Sequence, residues 1–422
     1  MNERLLQFIW QFRYFNLNEL FSVDGEPIMI IHAGNYTTNQ GPDFLDAKIK
    51  IGDTTWAGNV ELHVQSSDWV IHQHSKDGNY NNIILHVVWK DDVVLDLPFP
   101  VLELQSKVSK LLLKKYYELM QAGTFIPCQN NLQHTDELTF ANWKERVLVE
   151  RLQEKSQVVM AYLANNNNHW EETFWWLLAK NFGLKVNSEP FEKIARSLPL
   201  AVLAKHKSQV NQVEALLFGQ AGLLTGEFKD DYCILLQKEY AFLQKKYQLV
   251  PVKIPLHFLR MRPSNFPTVR LAQLSMLVHN SLHLFSAITA TEKLSGVKKM
   301  LDVTANDYWH YHYLLDEAST FKEKNLGAQM INNILINTVI PILFVYGQYL
   351  NENKYKEKAL RWLEETAAEK NSIIQGFAAT GIKIKNAFDS QALIQLKNNY
   401  CNKKRCLECA IGNKILKSPA SK

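Results

Sequence analysis

The spacing of the apolar residues changes once along the chain, and this change restricts the fold more than any other feature. Between residues 27 and 104 apolar residues alternate with polar ones or form short runs, as in β-strands. From residue 107 to Tyr400 they recur mostly every three or four residues, as in helices. This order predicts an α+β protein, in which an N-terminal mixed β-sheet with flanking helices is followed by a large helical region.

Turn residues separate the apolar segments of the N-terminal region. Gly52, Asp53 and the two threonines after them divide a pair of alternating segments that we expect to form a β-hairpin. We expect a second pair of strands around Asp91 and Asp92, and a helical turn over residues 66–74 between the two pairs. A helical stripe covers residues 1–20. The expected strands are residues 27–32, 47–51, 56–64, 83–89 and 93–104.

The helical region shows no fixed repeat, which argues against a solenoid. The expected helices are residues 108–120, 143–164, 170–182, 189–204, 210–224, 232–247, 268–289, 327–350 and 355–369. A chain of 422 residues is too long for one typical core. We therefore expect three parts, namely a β-rich domain at residues 1–128, one or more helical domains at 129–400 and a cysteine-rich tail at 401–422.

The composition is typical of an ordered, soluble chain. It is 46% hydrophobic and 21% charged, and its net charge of +5 permits contact with DNA or RNA without requiring it. The N-terminal segment carries Glu3 and Arg4 and lacks a cleavage site, so it is not a secretory signal. Residues 330–347 are apolar, but three asparagines and Pro341 favour a buried helix over a membrane span. We expect a cytoplasmic protein without a membrane partner.

Asp43, Glu61 and His63 form the densest group of chemically active residues. Side chains alternate along a strand, so Glu61 and His63 share one face, and Asp43 precedes the partner strand of the same hairpin. Two carboxylates that converge beside a titratable group can hold Mg²⁺ or Mn²⁺ and activate water. The alternative is structural: Asp43 caps a turn, and Glu61 pairs with a basic residue at a sheet edge.

Pro42-Asp43 followed by Glu61-Leu62-His63 resembles the motif of the PD-(D/E)XK nuclease superfamily. This resemblance covers only the N-terminal part and implies a restriction-endonuclease-like fold, metal binding by Asp43 and Glu61, and cleavage of DNA or RNA assisted by His63. His63 stands where the superfamily has lysine, so an altered metal, an altered substrate and a loss of activity all remain open. The substrate-binding residues under this hypothesis are Asn39, Gln65, Asp68, His72, His74, His86, Arg260, Arg262 and Arg270.

The whole chain also resembles a bacterial family defined only as a domain of unknown function. The segments that carry this resemblance are GPDF, GNVELHVQSSDW, RPSNFP and the cysteine-rich tail. It implies no activity. A second hypothesis is therefore a non-catalytic binding or scaffold protein that keeps a degenerate nuclease-like sheet.

Four histidines within a short span support a third hypothesis, a zinc-dependent hydrolase. His63, His72, His74 and His86, with one of the two carboxylates, offer the kinds of ligand that zinc takes. His86 lies in an apolar strand, where an imidazole without a partner is costly, so it should have one. The alternative is that His86 is a core residue and that His72 and His74 lie on a solvated turn.

Three of the five cysteines lie near the C-terminal end. Cys401, Cys406 and Cys409 include the two-residue spacing used by zinc and iron–sulfur sites, and Cys128 is the best candidate for a fourth ligand. An odd number of cysteines without a signal argues against a disulfide framework. One early and three late cysteines are similar to the pattern of cluster-binding members of the nuclease superfamily, with a different loop spacing. The alternative is free thiols packed as small apolar groups, as we expect for Cys233.

The segment from Arg260 to Arg270 combines three arginines with two prolines just before an expected helix. Arginines beside a helix N-terminus suit a phosphate or a carboxylate. We favour the structural alternative, in which Pro263 and Pro267 set a tight connection and the arginines pair with acidic helices.

Overall fold

A mixed β-sheet with flanking helices occupies one of the two units into which the chain divides. The computed structural model describes residues 1–38, 40–259, 261–281 and 283–418. The first unit contains Met1–Trp143 and Lys397–Lys422, and the second contains Lys144–Leu396. A mixed sheet followed by a large helical region confirms the α+β class expected from the sequence.

The sheet of the first unit contains six strands. They are β1 (Ile28–His32), β2 (Asn35–Tyr36), β3 (Phe44–Ile51), β4 (Thr54–Gln65), β5 (Ile83–Lys90) and β6 (Val101–Glu103). Their order is β1-β3-β4-β5-β6, and β2 pairs with β3. Pairing is antiparallel from β1 to β4 and parallel from β4 to β6, so the sheet is mixed.

Helix α1 (Glu3–Gln11) precedes the sheet and packs on β4. Trp10 Nε1 donates a hydrogen bond to the Ala33 carbonyl, which joins the helix to the strand connection. The helical stripe expected over residues 1–20 is too long. Arg13 adopts a φ of 53°, a left-handed conformation that does not continue a helix, and Phe15 forms an isolated β-bridge with Val108.

The expected hairpin is confirmed as β3 and β4. Gly52 in its turn has a φ of 57°, which glycine adopts without strain. Near its C-terminal end β4 is buried on both faces, with Val60 and Leu62 on one and Glu61 and His63 on the other. Buried polar side chains need polar partners, so Glu61 and His63 indicate a polar site at the end of β4.

The second expected pair of strands is wrong in direction and length. β5 and β6 run parallel, and β6 begins at Val101 rather than at residue 93. Pro98 and Pro100 lack the N–H group that a sheet ladder uses, and Val93 and Val94 are exposed. Residues 91–100 therefore connect two parallel strands and do not turn back as a hairpin.

Residues 66–82 form the crossover that joins the parallel strands β4 and β5. The helical turn expected here is present as α2 (Asp68–Ile71), and two 3₁₀ turns follow it. Ser67 precedes α2 without capping it, because its hydroxyl donates to Asp92. Parallel pairing requires a connection of about this length, so the crossover is fixed at both ends by the sheet.

The remaining helices and strands follow in chain order. They are α3 (Lys110–Gln121), α4 (Glu137–Ala164), α5 (Trp170–Phe182), α6 (Ser188–Arg196), α7 (Leu200–His206), α8 (Val210–Gln220), α9 (Asp231–Tyr247), α10 (Pro267–Asn280), α11 (Leu284–Ala290), α12 (Leu294–Leu301), α13 (Asp307–His310), β7 (His312–Leu314), β8 (Glu317–Ala318), α14 (Ala328–Ile334), α15 (Ile340–Tyr349), α16 (Asn353–Glu365), α17 (Ser372–Ala379), α18 (Ala387–Gln395) and α19 (Ala410–Lys417). Of these, α3 and α19 belong to the first unit, and the elements from α5 to α18 belong to the second.

Three expected helices are interrupted. Pro199 separates α6 from α7 within residues 189–204, and α10 ends where Ser281 adopts an extended backbone within residues 268–289. Between α14 and α15 the segment Leu335–Val339 is π-helical, so the helix expected over residues 327–350 continues with altered hydrogen bonding.

One helical stretch among the described residues is long and apolar enough to cross a membrane. It covers Ala328–Tyr349 and has a mean hydropathy of 1.6 over its most apolar window. Of that window, 72% is buried inside the protein. This burial agrees with the core helix that its asparagines and proline predict.

Candidate metal centre

Two elements bring four polar side chains to one end of the sheet. Glu61 and His63 come from β4, and His72 and His74 come from the crossover that follows it. Trp69 anchors the crossover, because it is 3% exposed and its ring lies edge-on to His63 and His74, with centroid separations of 6.3 and 5.2 Å. The parallel pairing of β4 with β5 thus places crossover histidines over the strand end.

His63 is the centre of this cluster. Its Nε2 lies 3.1 Å from His72 Nδ1, 3.2 Å from His74 Nε2 and 3.6 Å from Glu61 Oε1. Glu61 Oε1 also lies 3.5 Å from His74 Nε2. The ligand atoms of the three histidines are all within 4.8 Å of one another. We call the four side chains the histidine cluster.

These separations fit ligands around a single ion. Zinc takes imidazole nitrogens at about 2.0–2.1 Å in a tetrahedral arrangement, which separates neighbouring ligand atoms by about 3.3–3.4 Å. Four of the six separations among these atoms, from 3.1 to 3.6 Å, bracket this value. Hydrogen bonds alone satisfy the set poorly, because His63 Nε2 carries at most one proton and faces three polar atoms.

Asp43 is bonded directly to Glu61. The backbone N–H of Asp43 donates to Glu61 Oε2 at 3.0 Å. Its own carboxylate accepts from Gln7 Nε2 at 2.7 Å and from the Leu62 N–H at 3.2 Å. Both carboxyl groups therefore lie side by side across β3 and β4, and Asp43 fixes the position of Glu61.

His86 supports His63 from the neighbouring strand β5. His86 Nε2 lies 2.8 Å from His63 Nδ1, so the fully buried His86 has the partner that its apolar strand predicts. The second ring nitrogen of a metal-bound histidine commonly makes such a bond, which leaves the first free to bind the ion. The other nitrogen of His86, Nδ1, is buried without a hydrogen-bond partner among the described residues.

Burial shifts the pKa values of this site in opposite directions. Burial and then the neighbouring histidines lower the pKa of His63 to about 2, and burial lowers the pKa of His86 to about 3. Imidazoles with such pKa values are neutral at physiological pH, which is the form that binds metals. Burial raises the pKa of Asp43 and of Glu61, and the charge of Asp43 raises that of Glu61 further. A bound cation would lower the pKa of both carboxyl groups again.

The crossover histidines differ in exposure. His72 is exposed, whereas His74 is 9% exposed and stacks on Tyr80 with ring centroids 3.9 Å apart. The solvated turn that the sequence offers as an alternative therefore describes His72 but is wrong for His74. The cluster has one solvent-facing member and three buried ones.

Gln65 and Asp68, two of the expected substrate-binding residues, lie outside the cluster. Gln65 is exposed at the end of β4, and its N–H donates to Asp68 Oδ2 at 2.9 Å. Asp68 is half-buried and fixes the start of the crossover through this bond. Asn39 lies outside the described residues.

The arginine segment belongs to the second unit. Arg260 lies outside the described residues, and Arg262 is exposed. Arg270 is buried, and its guanidinium donates to the amide oxygens of Asn265 at 2.6 Å and Gln273 at 2.8 Å. The structural alternative, pairing with acidic helices, is therefore wrong for Arg270, whose recorded partners are amides.

The structure brings four cysteines together in the first unit. Cys128 precedes the 3₁₀ segment Gln129–His134, which packs against α19 directly after Cys409. Cys401, Cys406 and Cys409 lie within nine residues, and all four cysteines are free. Cys233 is fully buried in the second unit, as expected for a core residue.

Gln7 is the site residue that sequence reasoning missed. It is 9% exposed on α1, where it donates to Asp43 and accepts a hydrogen bond from the Tyr36 hydroxyl at 3.1 Å. A buried amide needs polar partners, so a glutamine inside the apolar stripe of α1 was the available signal.

Comparison with known proteins identifies a family. One family model matches residues 3–372 and is described as "Protein of unknown function (DUF2851)". No curated protein and no solved structure matches the chain.

Proposed function

We propose that this chain, which belongs to the DUF2851 family, is a metal-dependent hydrolase of nucleic-acid phosphodiesters. One observation carries the proposal. The ligand atoms of His63, His72 and His74 all lie within 4.8 Å of one another, and Glu61 Oε1 lies 3.6 Å from His63 Nε2 and 3.5 Å from His74 Nε2, as ligands around a single ion do.

The ligand types favour a transition metal. Imidazole suits zinc, iron, nickel and copper, whereas Mg²⁺ and Mn²⁺ are held by carboxylates, carbonyls and water. Three of the four ligands in the histidine cluster are imidazoles, so we propose zinc in first place. The magnesium or manganese expected from the nuclease motif is the second choice.

The four side chains divide into fixed and accessible ligands. His63, His74 and Glu61 are buried and held by β4 and the crossover, whereas His72 is exposed. Substrate therefore approaches from the side of His72. A zinc ion held by three of these four side chains would keep a fourth position for water. It would lower the pKa of that water and stabilise the charge that develops on a phosphate.

Asp43 is a positioning residue in this proposal. It orients Glu61 through its backbone N–H and is itself oriented by Gln7 and by the Leu62 N–H. The nuclease motif makes Asp43 a metal ligand, and we propose instead that it sets the position and the charge of Glu61.

Phosphodiesters are proposed as the substrate because of the two carboxyl groups. Asp43 directly precedes β3, and Glu61 lies on the antiparallel strand β4, where Val60 pairs with Phe44. An Asp and a Glu brought together in this way are the pair that the resemblance to PD-(D/E)XK nucleases associates with metal-dependent phosphodiester cleavage. A net charge of +5 is compatible with a nucleic-acid substrate.

Metal content and cleavage, measured on the purified full chain, test the proposal. DNA, RNA and a small phosphodiester are offered with zinc, manganese and magnesium. We expect Glu61→Gln to lose both bound metal and cleavage, with a rate loss of at least about a hundredfold. Glu26→Gln is the matched control, because Glu26 is an exposed carboxylate of the same unit.

Three outcomes would contradict the proposal or a part of it. If the wild-type protein cleaves no substrate with any of the three metals, the catalytic claim fails. Metal binding without cleavage would favour the scaffold hypothesis, with the ion as a structural element. Metal and cleavage that survive in Glu61→Gln would remove Glu61 from the site.

A further inference from the structure

Four cysteines in the first unit are not used by the proposed hydrolase. Cys128 directly precedes the 3₁₀ segment Gln129–His134, and Cys409 directly precedes α19. These two segments pack against each other, so the cysteines at their N-terminal ends are brought together from opposite ends of the chain. Cys401 is the last residue of the π-helical segment Leu396–Cys401, and Cys406 lies in the turn between this segment and α19.

We propose that a thiophilic metal centre, a zinc ion or an iron–sulfur cluster, is bound by four cysteines: Cys128, Cys401, Cys406 and Cys409. Both centres are ligated by four thiolates. This proposal shares no residue with the histidine cluster and does not depend on the hydrolase function.

The turn between Cys406 and Cys409 has the features of a metal-binding turn. The Cys409 N–H lies 3.4 Å from the Cys406 carbonyl, and backbone N–H groups of Ile411 and Gly412 point to the Cys409 sulfur. Such N–H groups stabilise a thiolate. Gly412 is required here, because a Cβ at this position would lie 2.2 Å from the Cys406 carbonyl oxygen.

The four thiols are buried close to one another. Cys128, Cys406 and Cys409 are each 7% exposed, and Cys401 is half-buried. Burial and the neighbouring thiols raise the pKa of Cys128 and of Cys406 to about 12. A metal ion bound among four thiols replaces their protons and holds the four sulfurs together.

Two lysines complement the charge of a tetrathiolate. Lys397 lies four residues before Cys401 in the same π-helical segment, and Lys404 lies two residues before Cys406. Lys397 is held in place by the Phe125 carbonyl and by Asn402, both at 2.6 Å. Zinc with four thiolates carries an excess of negative charge, which these side chains reduce.

A centre at this position would join the C-terminal segment to the rest of the first unit. Lys397–Lys422 belong to this unit although the whole second unit separates them from residue 143. A metal bond between Cys128 and the three late cysteines closes that long loop. Stabilisation by such closure increases with loop length.

Metal analysis of the full chain, purified without oxygen, tests the proposal. We expect either one equivalent of zinc in addition to any zinc at the histidine cluster, without visible absorbance, or iron with acid-labile sulfide and visible absorbance. This metal should be lost in Cys406→Ser and kept in Cys233→Ser, the control with a buried cysteine of the second unit. It should also be kept in His63→Ala, which separates this centre from the hydrolase site.

If Cys406→Ser does not fold, Cys401→Ser replaces it as the test variant, because Cys401 is only half-buried. Reconstitution of the metal-free wild-type chain with Co²⁺ should in addition give the charge-transfer absorption of cobalt bound to thiolates. Equal metal content in Cys401→Ser and Cys233→Ser, or bound cobalt without that absorption, would overturn the proposal.

Discussion

Replacing His63 with alanine should remove the zinc-dependent stabilisation that comes from the histidine cluster. His63 Nε2 lies 3.1 Å from His72 Nδ1, 3.2 Å from His74 Nε2 and 3.6 Å from Glu61 Oε1, so it is the one ligand atom recorded next to all the others. Zinc at a hundred times its dissociation constant stabilises a folded protein by about 2.7 kcal/mol. For a unit of this size that raises the unfolding midpoint by about 5–11 °C.

Differential scanning fluorimetry of the full chain, with and without zinc, measures this effect. The quantity compared is the zinc-dependent rise, because removing a buried imidazole also destabilises the metal-free protein. We expect the rise in His63→Ala to be smaller than in the wild type by the amount given above. His32→Ala, which changes an exposed histidine of β1, should keep the full rise. Equal rises in the two variants would refute a metal site centred on His63.

Two further predictions concern charge and packing in the same unit. Because burial raises the pKa of Asp43 and Glu61, these two carboxyl groups hold more protons in the metal-free folded state than in the unfolded chain. Their contribution to stability should therefore fall as the pH rises above about 6.5, beyond the range in which histidines with lowered pKa oppose it. Unfolding midpoints between about pH 6.5 and 9 test this, and an equal fall in Glu61→Gln would contradict it. A Cβ at Gly58 would lie 2.5 Å from Ile84 Cγ2. Gly58→Ala should therefore lower the free energy of unfolding, measured in urea, by about 1–3 kcal/mol. Gly123 has open space around the position of a Cβ, so an equal loss in Gly123→Ala would contradict this explanation.

The period of the apolar residues predicts the fold class and the β3–β4 hairpin, because both depend on residues close in sequence. The direction of β6 depends on the connection that precedes it. A parallel strand is set by the path of its connection, and Pro98 and Pro100 are the residues that stop residues 93–100 from joining the sheet. An apolar pattern alone does not distinguish such a connection from a strand.

The site divides in the same way. Alternation along β4 predicts that Glu61 and His63 share a face, and the hairpin predicts that Asp43 comes near them. The approach of His72 and His74 depends on how the crossover folds over the strand, which Trp69 fixes by burying its ring among the histidines. Two histidines one residue apart are equally common on solvated turns, so the sequence offered the cluster only as one alternative.

The order of segments in the first unit has a consequence for its synthesis on the ribosome. The sheet and the residues of the histidine cluster emerge early, whereas Lys397–Lys422 emerge only after the whole of Lys144–Leu396. At about 5–20 residues per second, translation of that insertion takes on the order of ten to fifty seconds. During this interval the early part of the unit waits with the surface that later receives α19 still uncovered, and a nascent chain stalled before Lys397 cannot complete it.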